Sequence, residues 1–323
     1  MKRTGIWIGT SGWSYKEWAG HFYPKAWPKK NEFLFYARHF PTVEINATFY
    51  RLPTLKTVRG WRDRAPRDFV FAVKGSRYLT HIRRLKDTGP GLRKYFSRLK
   101  PLAGHSGPIL WQLPPTFKKT GANWQRLERF LAKLPPAFPH AVEFRHPSWL
   151  DEQTLTLLRQ HRVANVWISS MQMPVDHTVT ADFVFLRFHG LAGGAYHDYT
   201  EDELAPWAEQ LVEFARQGLP AFVYFNNDLN IRAPLNAKAL MTLVGAHAVP
   251  SLDPESALPL KIAPPVKGPA TWRPWTRNSK ATKTRKPASA TTSGPARRKR
   301  TMSAGDRQFA GAAFSASAPQ RAR

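Results

Sequence analysis

The chain has 323 residues, no cysteine and a formal net charge of +27 at pH 7. The missing cysteine excludes disulfides, thiolate nucleophiles and cysteine-ligated zinc or iron–sulfur sites. No apolar run reaches the roughly 20 residues that cross a bilayer, and no signal-peptide h-region precedes the first strand, so a cytoplasmic protein without a membrane partner is expected.

The charge is spread over two regions of different composition. From Pro264 to Arg323 the chain is rich in Pro, Ala, Ser, Thr, Lys and Arg, with 14 basic residues against the single acid Asp306. Such a segment buries too little apolar surface to offset its chain entropy, and it is expected to be a disordered tail. Residues 1–263 match one barrel domain in size. They keep a net charge of +14, the tail carrying the other +13. Non-specific nucleic-acid contact through Arg297-Arg-Lys-Arg300 is one expectation from this charge, and plain colloidal solubility is the other.

Eight short apolar runs follow one another: Ile6–Thr10, Val43–Asn46, Phe69–Lys74, Pro108–Gln112, Ala141–His146, Ala164–Ile168, Phe183–His189 and Ala221–Asn227. Helix-like stretches separate them. Asn31 caps a helix running to His39, and Thr54 caps Leu55–Arg64. Further helices are predicted at Gly91–Leu102, Trp124–Lys133, Glu152–His161, Glu203–Gln217 and Asn236–Gly245, with only a short, poorly formed turn between strands six and seven. The alternation is that of a single (β/α)8 TIM-type barrel. The loop after strand one holds six aromatics between Trp13 and Trp27, suited to packing on the barrel rim or to stacking.

Most runs end in a charged or amide residue, and in this fold those ends converge on one mouth. Side chains alternate across a strand. With Ile45, Phe144 and Phe188 turned outward, Glu44 and Asn46, Glu143 and Arg145, and Arg187 and His189 face inward. Lys74 shares the face of Ala72, and Gln112 that of Leu110. A charge in a barrel core is costly unless paired, so the carboxylates and cations are expected to balance one another. Either this network only holds the barrel together, or its upper layer binds a ligand.

In the ligand reading Lys74, Arg145 and Arg187 clamp a small anionic molecule. Asn46, Gln112, Asn226 and Asn227 supply amide donors, and Asp228 orients a histidine or binds a hydroxyl. Glu44 and Glu143 are the candidate acid/base pair, and His189 the proton carrier titrating near neutrality. A divalent metal on Glu44, Glu143, His146, His189 and Asp228 is the competing arrangement, opposed by the three cations and by the outward face of His146. No metal or other cofactor is therefore expected. Thr80-His81 and the Gly190–Gly194 loop are further residues placed to line the mouth.

These residues fall in motifs. Ile8-Gly-Thr-Ser-Gly-Trp13, Glu44-Ile-Asn-Ala-Thr-Phe-Tyr50, Phe71-Ala-Val-Lys74 with Thr80-His81, and Gln112-Leu-Pro-Pro115 resemble those of the YecE-like family, domain of unknown function 72. So do Glu143-Phe-Arg-His-Pro-Ser-Trp149, Arg187-Phe-His-Gly190, and Tyr224-Phe-Asn-Asn227 with Asn236-Ala. The resemblance spans residues 5–247 and implies a TIM-type barrel, without supplying a reaction. Three functional readings follow: acid/base catalysis without a redox cofactor on a small anionic or sugar/phosphate-bearing substrate, a nuclease or repair-type enzyme, and a non-catalytic ligand-binding barrel.

Overall fold

The computed structural model describes residues 4–251; the tail predicted from Pro264 lies outside them. Eight parallel strands carry the fold: β1 Ile6–Thr10, β2 Thr42–Ile45, β3 Val70–Lys74, β4 Ser106–Gln112, β5 His140–Glu143, β6 Val163–Ser169, β7 Val184–Phe188 and β8 Ala221–Phe225. Their spatial order is β1-β8-β7-β6-β5-β4-β3-β2. Consecutive strands thus sit side by side, as in a (β/α)8 barrel.

The ring closes between β1 and β2 in an unusual way. One backbone bridge joins Ser11 to Glu44. Below it the Tyr36 hydroxyl stands between the strands, accepting from the Thr10 amide at 2.9 Å and donating to the Thr42 carbonyl at 3.0 Å. A phenol therefore carries the hydrogen bond that a ladder would carry elsewhere. Gly9 permits the approach, since a Cβ there would lie 2.2 Å from the Thr42 carbonyl oxygen.

The helices are α1 Glu32–His39, α2 Ala47–Tyr50, α3 Leu55–Arg64, α4 Gly89–Leu99, α5 Gly121–Leu131, α6 Glu152–Gln160, α7 Glu201–Arg216 and α8 Arg232–Val244. Thr54, Thr120, Asp151 and Thr200 cap α3, α5, α6 and α7 through their side chains, Thr200 in a capping box with Glu203. Two of these caps correct the sequence reading. Thr120 and Thr200 start α5 and α7 two to three residues before the predicted positions, while Asn31 makes no side-chain cap. Between β6 and β7 the chain forms no helix among the described residues. It returns along β6 instead, with the Thr180 hydroxyl accepting from the Asn165 amide and donating to the Val163 carbonyl.

Two apolar layers result. Trp7, Ala72, Leu110, Ala141, Phe185, Phe222 and Tyr224 fill the barrel interior, while Ile45, Phe144 and Phe188 pack outward under the helices. The alternation predicted at β2, β5 and β7 is therefore the alternation seen. No helix of the described residues is long and apolar enough to cross a membrane.

Candidate functional site

Several strands end one or two residues earlier than their apolar runs. Asn46, His189 and Asn226 therefore occupy the first loop positions beyond β2, β7 and β8, and Arg145 the second beyond β5. Glu44, Glu143 and Arg187 remain inside, all fully shielded from solvent.

Arg187 is the hub. Its Nη2 donates to Glu44 Oε1 at 2.7 Å and its Nη1 to Glu143 Oε2 at 2.6 Å. Ser11, at the end of β1, donates through Oγ to the same Glu44 oxygen at 2.9 Å. Glu143 Oε1 accepts from Gln112 Nε2 at 2.6 Å and also from Arg145 Nε. Burial alone would raise the pKa of Glu143. The adjacent charges of Arg145 and Arg187 overcome that and hold its carboxyl well below the ordinary carboxylate range. Both carboxylates are thus committed to arginines, as expected for charges buried this deeply.

His189 is fixed in one state. Its Nε2 lies 2.8 Å from Arg145 Nη2 and 3.1 Å from Arg187 Nη1. A guanidinium only donates, so Nε2 keeps its lone pair and the proton sits on Nδ1. The Asn226 side-chain amide lies 3.2 Å from Nδ1. Burial, followed by the Arg145 and Arg187 charges, pushes the imidazole down to about 3. The expectation that His189 titrates near neutrality is therefore corrected: it is a neutral acceptor that orients Arg145.

Lys74 differs from the other cations. Its backbone carbonyl is held by Thr48 Oγ1 at 2.6 Å and by the Tyr95 hydroxyl at 3.1 Å. Its ammonium lies 4.5 Å from the centre of the Phe49 ring and makes no hydrogen bond or ion pair among the described residues. Burial, then the Arg187 and Arg145 charges, lower it to about 8 against the pull of Glu44 and Glu143. Three cations against two carboxylates leave one positive charge in excess at the mouth.

Beside Arg145 and His189 a cavity of about 200 Å³ opens, walled by Ser170–Gln172 and the Gly190–Ala195 loop. That loop folds back on itself. Gly190 has φ +87°, and a Cβ there would lie 1.7 Å from the Gly194 carbonyl oxygen, so only glycine fits.

Three predicted residues stand apart from this group. Asn227 is turned away, and its Nδ2 donates to the His197 carbonyl at 2.8 Å and to Asn236 Oδ1 at 2.7 Å. It ties the loop before α7 to α8, as strand alternation after Asn226 requires. Asp228 sits at the rim, accepting from Trp18 Nε1 at 2.8 Å. Burial raises its carboxyl to about 7 despite that bond, with Glu17 adding to the effect. Among the described residues no donor reaches the buried Asn46 Oδ1 or Glu44 Oε2. His146, once a possible metal ligand, pairs with Ser148 at 2.8 Å. Among the described residues no three histidine, aspartate or glutamate side chains are grouped to hold a metal ion.

Sequence reasoning did not single out Ser11, Tyr36 or Phe49. Ser11 was within reach, since it lies an even number of positions after Trp7, which points inward. The roles of Tyr36 and Phe49 depend on tertiary contacts.

Fold and site together define a (β/α)8 barrel protein with an ion-paired pocket at the C-terminal ends of its strands. The chain belongs to the DUF72 family, whose model, described as a protein of unknown function, matches residues 7–259. It is 29% identical over 287 residues to the UPF0759 protein YecE of Escherichia coli (strain K12), covering 78% of this chain and 99% of the relative. It is 27% identical over 274 residues to the UPF0759 protein YunF of Bacillus subtilis (strain 168), covering 74% and 94%. The crystal structure of a DUF72 family protein from Thermotoga maritima MSB8 superimposes with a TM-score of 0.68 at 29% identity, over 74% of this chain and 99% of that one. A second DUF72 structure, from Enterococcus faecalis V583, gives 0.64 at 22% identity over 74% and 95%, a likeness of fold alone.

Proposed function

We propose that this pocket is the active site of an enzyme acting by acid/base chemistry on a small anionic substrate, sugar- or phosphate-bearing. The observation that carries the reading is the unequal use of charge. Glu44 and Glu143 are consumed by Arg187 and Arg145, which leaves a net positive group in which Arg145 lines the cavity and Lys74 has no ion pair among the described residues. A half-buried excess cation is unfavourable alone and favours an anion.

The roles divide accordingly. Arg145, oriented by Glu143 and His189, meets the anionic group. Arg187 and Glu44 form the floor. Lys74 moves a proton, being the one cation in the group whose charge changes near neutral pH. Glu44 and Glu143 serve by fixing the arginines, and Gln112 and Asn226 by fixing Glu143 and His189. The unpaired acceptors Glu44 Oε2 and Asn46 Oδ1 suit hydroxyl donors on the ligand.

Calorimetric titration of the full chain with inorganic phosphate, sugar phosphates and small carboxylates tests this. The expected result is saturable binding by at least one of them, weakened roughly tenfold or more, about 1.4 kcal/mol, by Arg145→Ala. Absence of binding across the set, or binding indifferent to Arg145→Ala, refutes the anion pocket.

A further inference from the structure

Lys74 has surroundings that proton transfer alone does not require. Its main chain is pinned by Thr48 and Tyr95, while its amine has no hydrogen-bond or ion-pair partner among the described residues. The amine sits over Phe49, and the imidazole of His81 packs on the same ring at 4.9 Å. His81 Nδ1 is engaged by Thr80 Oγ1 at 2.9 Å. Burial, with the charges of Lys74 and Arg77, keeps that ring neutral, lowered to about 4. The charged groups acting on Lys74 are Arg187 from β7, Glu44 from β2, Glu143 from β5 and Arg145 just beyond it. An apolar shelf, neighbouring guanidiniums and a neutral base are the conditions that turn a lysine into a nucleophile.

We propose that Lys74 is the covalent attachment point for a carbonyl substrate, its Nζ forming an imine with an aldehyde or ketone that also carries a carboxylate or phosphate. The anionic part of this rests on the Arg145 pocket described above. The neutral amine attacks the carbonyl carbon, a C–N bond forms, and the π pair moves to oxygen. His81 takes a proton from the nitrogen and returns it to the alkoxide, giving a carbinolamine. The hydroxyl then departs with the second N–H proton, carried the same way, which releases one water and leaves C=N. The sum is amine plus carbonyl to imine plus water, with no oxidant or reductant.

Reductive trapping reads this directly, using two probes on the full chain with cyanoborohydride. Formaldehyde tests the amine without an anionic group, and glyoxylate tests amine and anion together. Peptide mapping by mass spectrometry is expected to show Lys74 modified roughly tenfold or more faster than surface lysines at pH 7, because it holds far more free amine there. The rate at Lys74 is expected to climb with pH through about 8, ahead of the other lysines. Arg145→Ala, which also removes one of the charges that keep the amine free, is expected to slow trapping of glyoxylate roughly tenfold more than trapping of formaldehyde, and Lys74→Arg, checked for fold by circular dichroism, abolishes the fast site for both.

Modification of Lys74 no faster than of surface lysines with either probe overturns the proposal. Should phosphate still bind in an Arg145-dependent way, the anion pocket survives that result and only the imine fails. Fast formaldehyde trapping without any glyoxylate or Arg145 dependence overturns the anionic substrate class, and the pocket reading falls with it.

Discussion

Arg187 Nη1 donates to Glu143 Oε2 at 2.6 Å across 44 residues of sequence, and neither side chain is reached by solvent. The pair joins β7 to β5, and through the other arm of the guanidinium to Glu44 on β2. Three separated strands are thereby bound at one level of the barrel. Breaking a buried pair leaves an uncompensated charge, which costs more than the intact pair contributes.

Glu143→Gln is therefore expected to lower the unfolding free energy by about 3–5 kcal/mol in urea. A stability within about 0.5 kcal/mol of the parent would show that Glu143 does not carry the network.

The same carboxyl predicts acid sensitivity. Its folded pKa is held below the unfolded value, so its stabilisation is complete above the ordinary carboxylate range, near 4–5, and disappears as pH falls through the folded value. Urea midpoints between pH 7 and 3 should fall steeply for the parent and less steeply for Glu143→Gln. Parallel curves would contradict this.

Asp228 predicts the opposite slope. Its folded pKa is raised by burial to about 7 from an ordinary 3.8, so the folded state holds the proton longer than the unfolded chain does. Stability from this group declines as pH rises between those values. Asp228→Asn keeps the Trp18 hydrogen bond available through Oδ1, and it should flatten that decline. An unaltered pH profile would remove Asp228 as a neutral-range titrating group.

Tyr36→Phe removes the hydroxyl between β1 and β2, leaving the Thr10 amide and Thr42 carbonyl without this partner. The expected loss is about 1–3 kcal/mol, together with faster hydrogen exchange at the Thr10 amide. Exchange at the parental rate in the variant would mean that the strands pair without the phenol.

Much of the fold was legible because each strand is a short apolar run ended by a polar residue, and each break carries a cap or turn signal. The site was legible through alternation alone: Ile45, Phe144 and Phe188 outward force Glu44, Glu143 and Arg187 inward. Alternation also shows why Asn226 and Asn227 do not both face the pocket. The distribution of charge among partners was not legible. That Arg187 takes both carboxylates and Lys74 takes neither depends on distances across the barrel, which no local pattern encodes. The charge state of His189 was hidden for the same reason, since two guanidiniums approach one ring nitrogen from different strands.

The Glu44–Arg187–Glu143 level has a kinetic consequence. Beneath it Trp7, Phe185, Phe222 and Tyr224 fill the shaft, so the pocket has a floor and no rear exit. Whatever enters at the strand ends leaves by the same opening. Under the proposed function, reactant and product compete for one doorway, departure precedes arrival, and product inhibition is competitive with substrate.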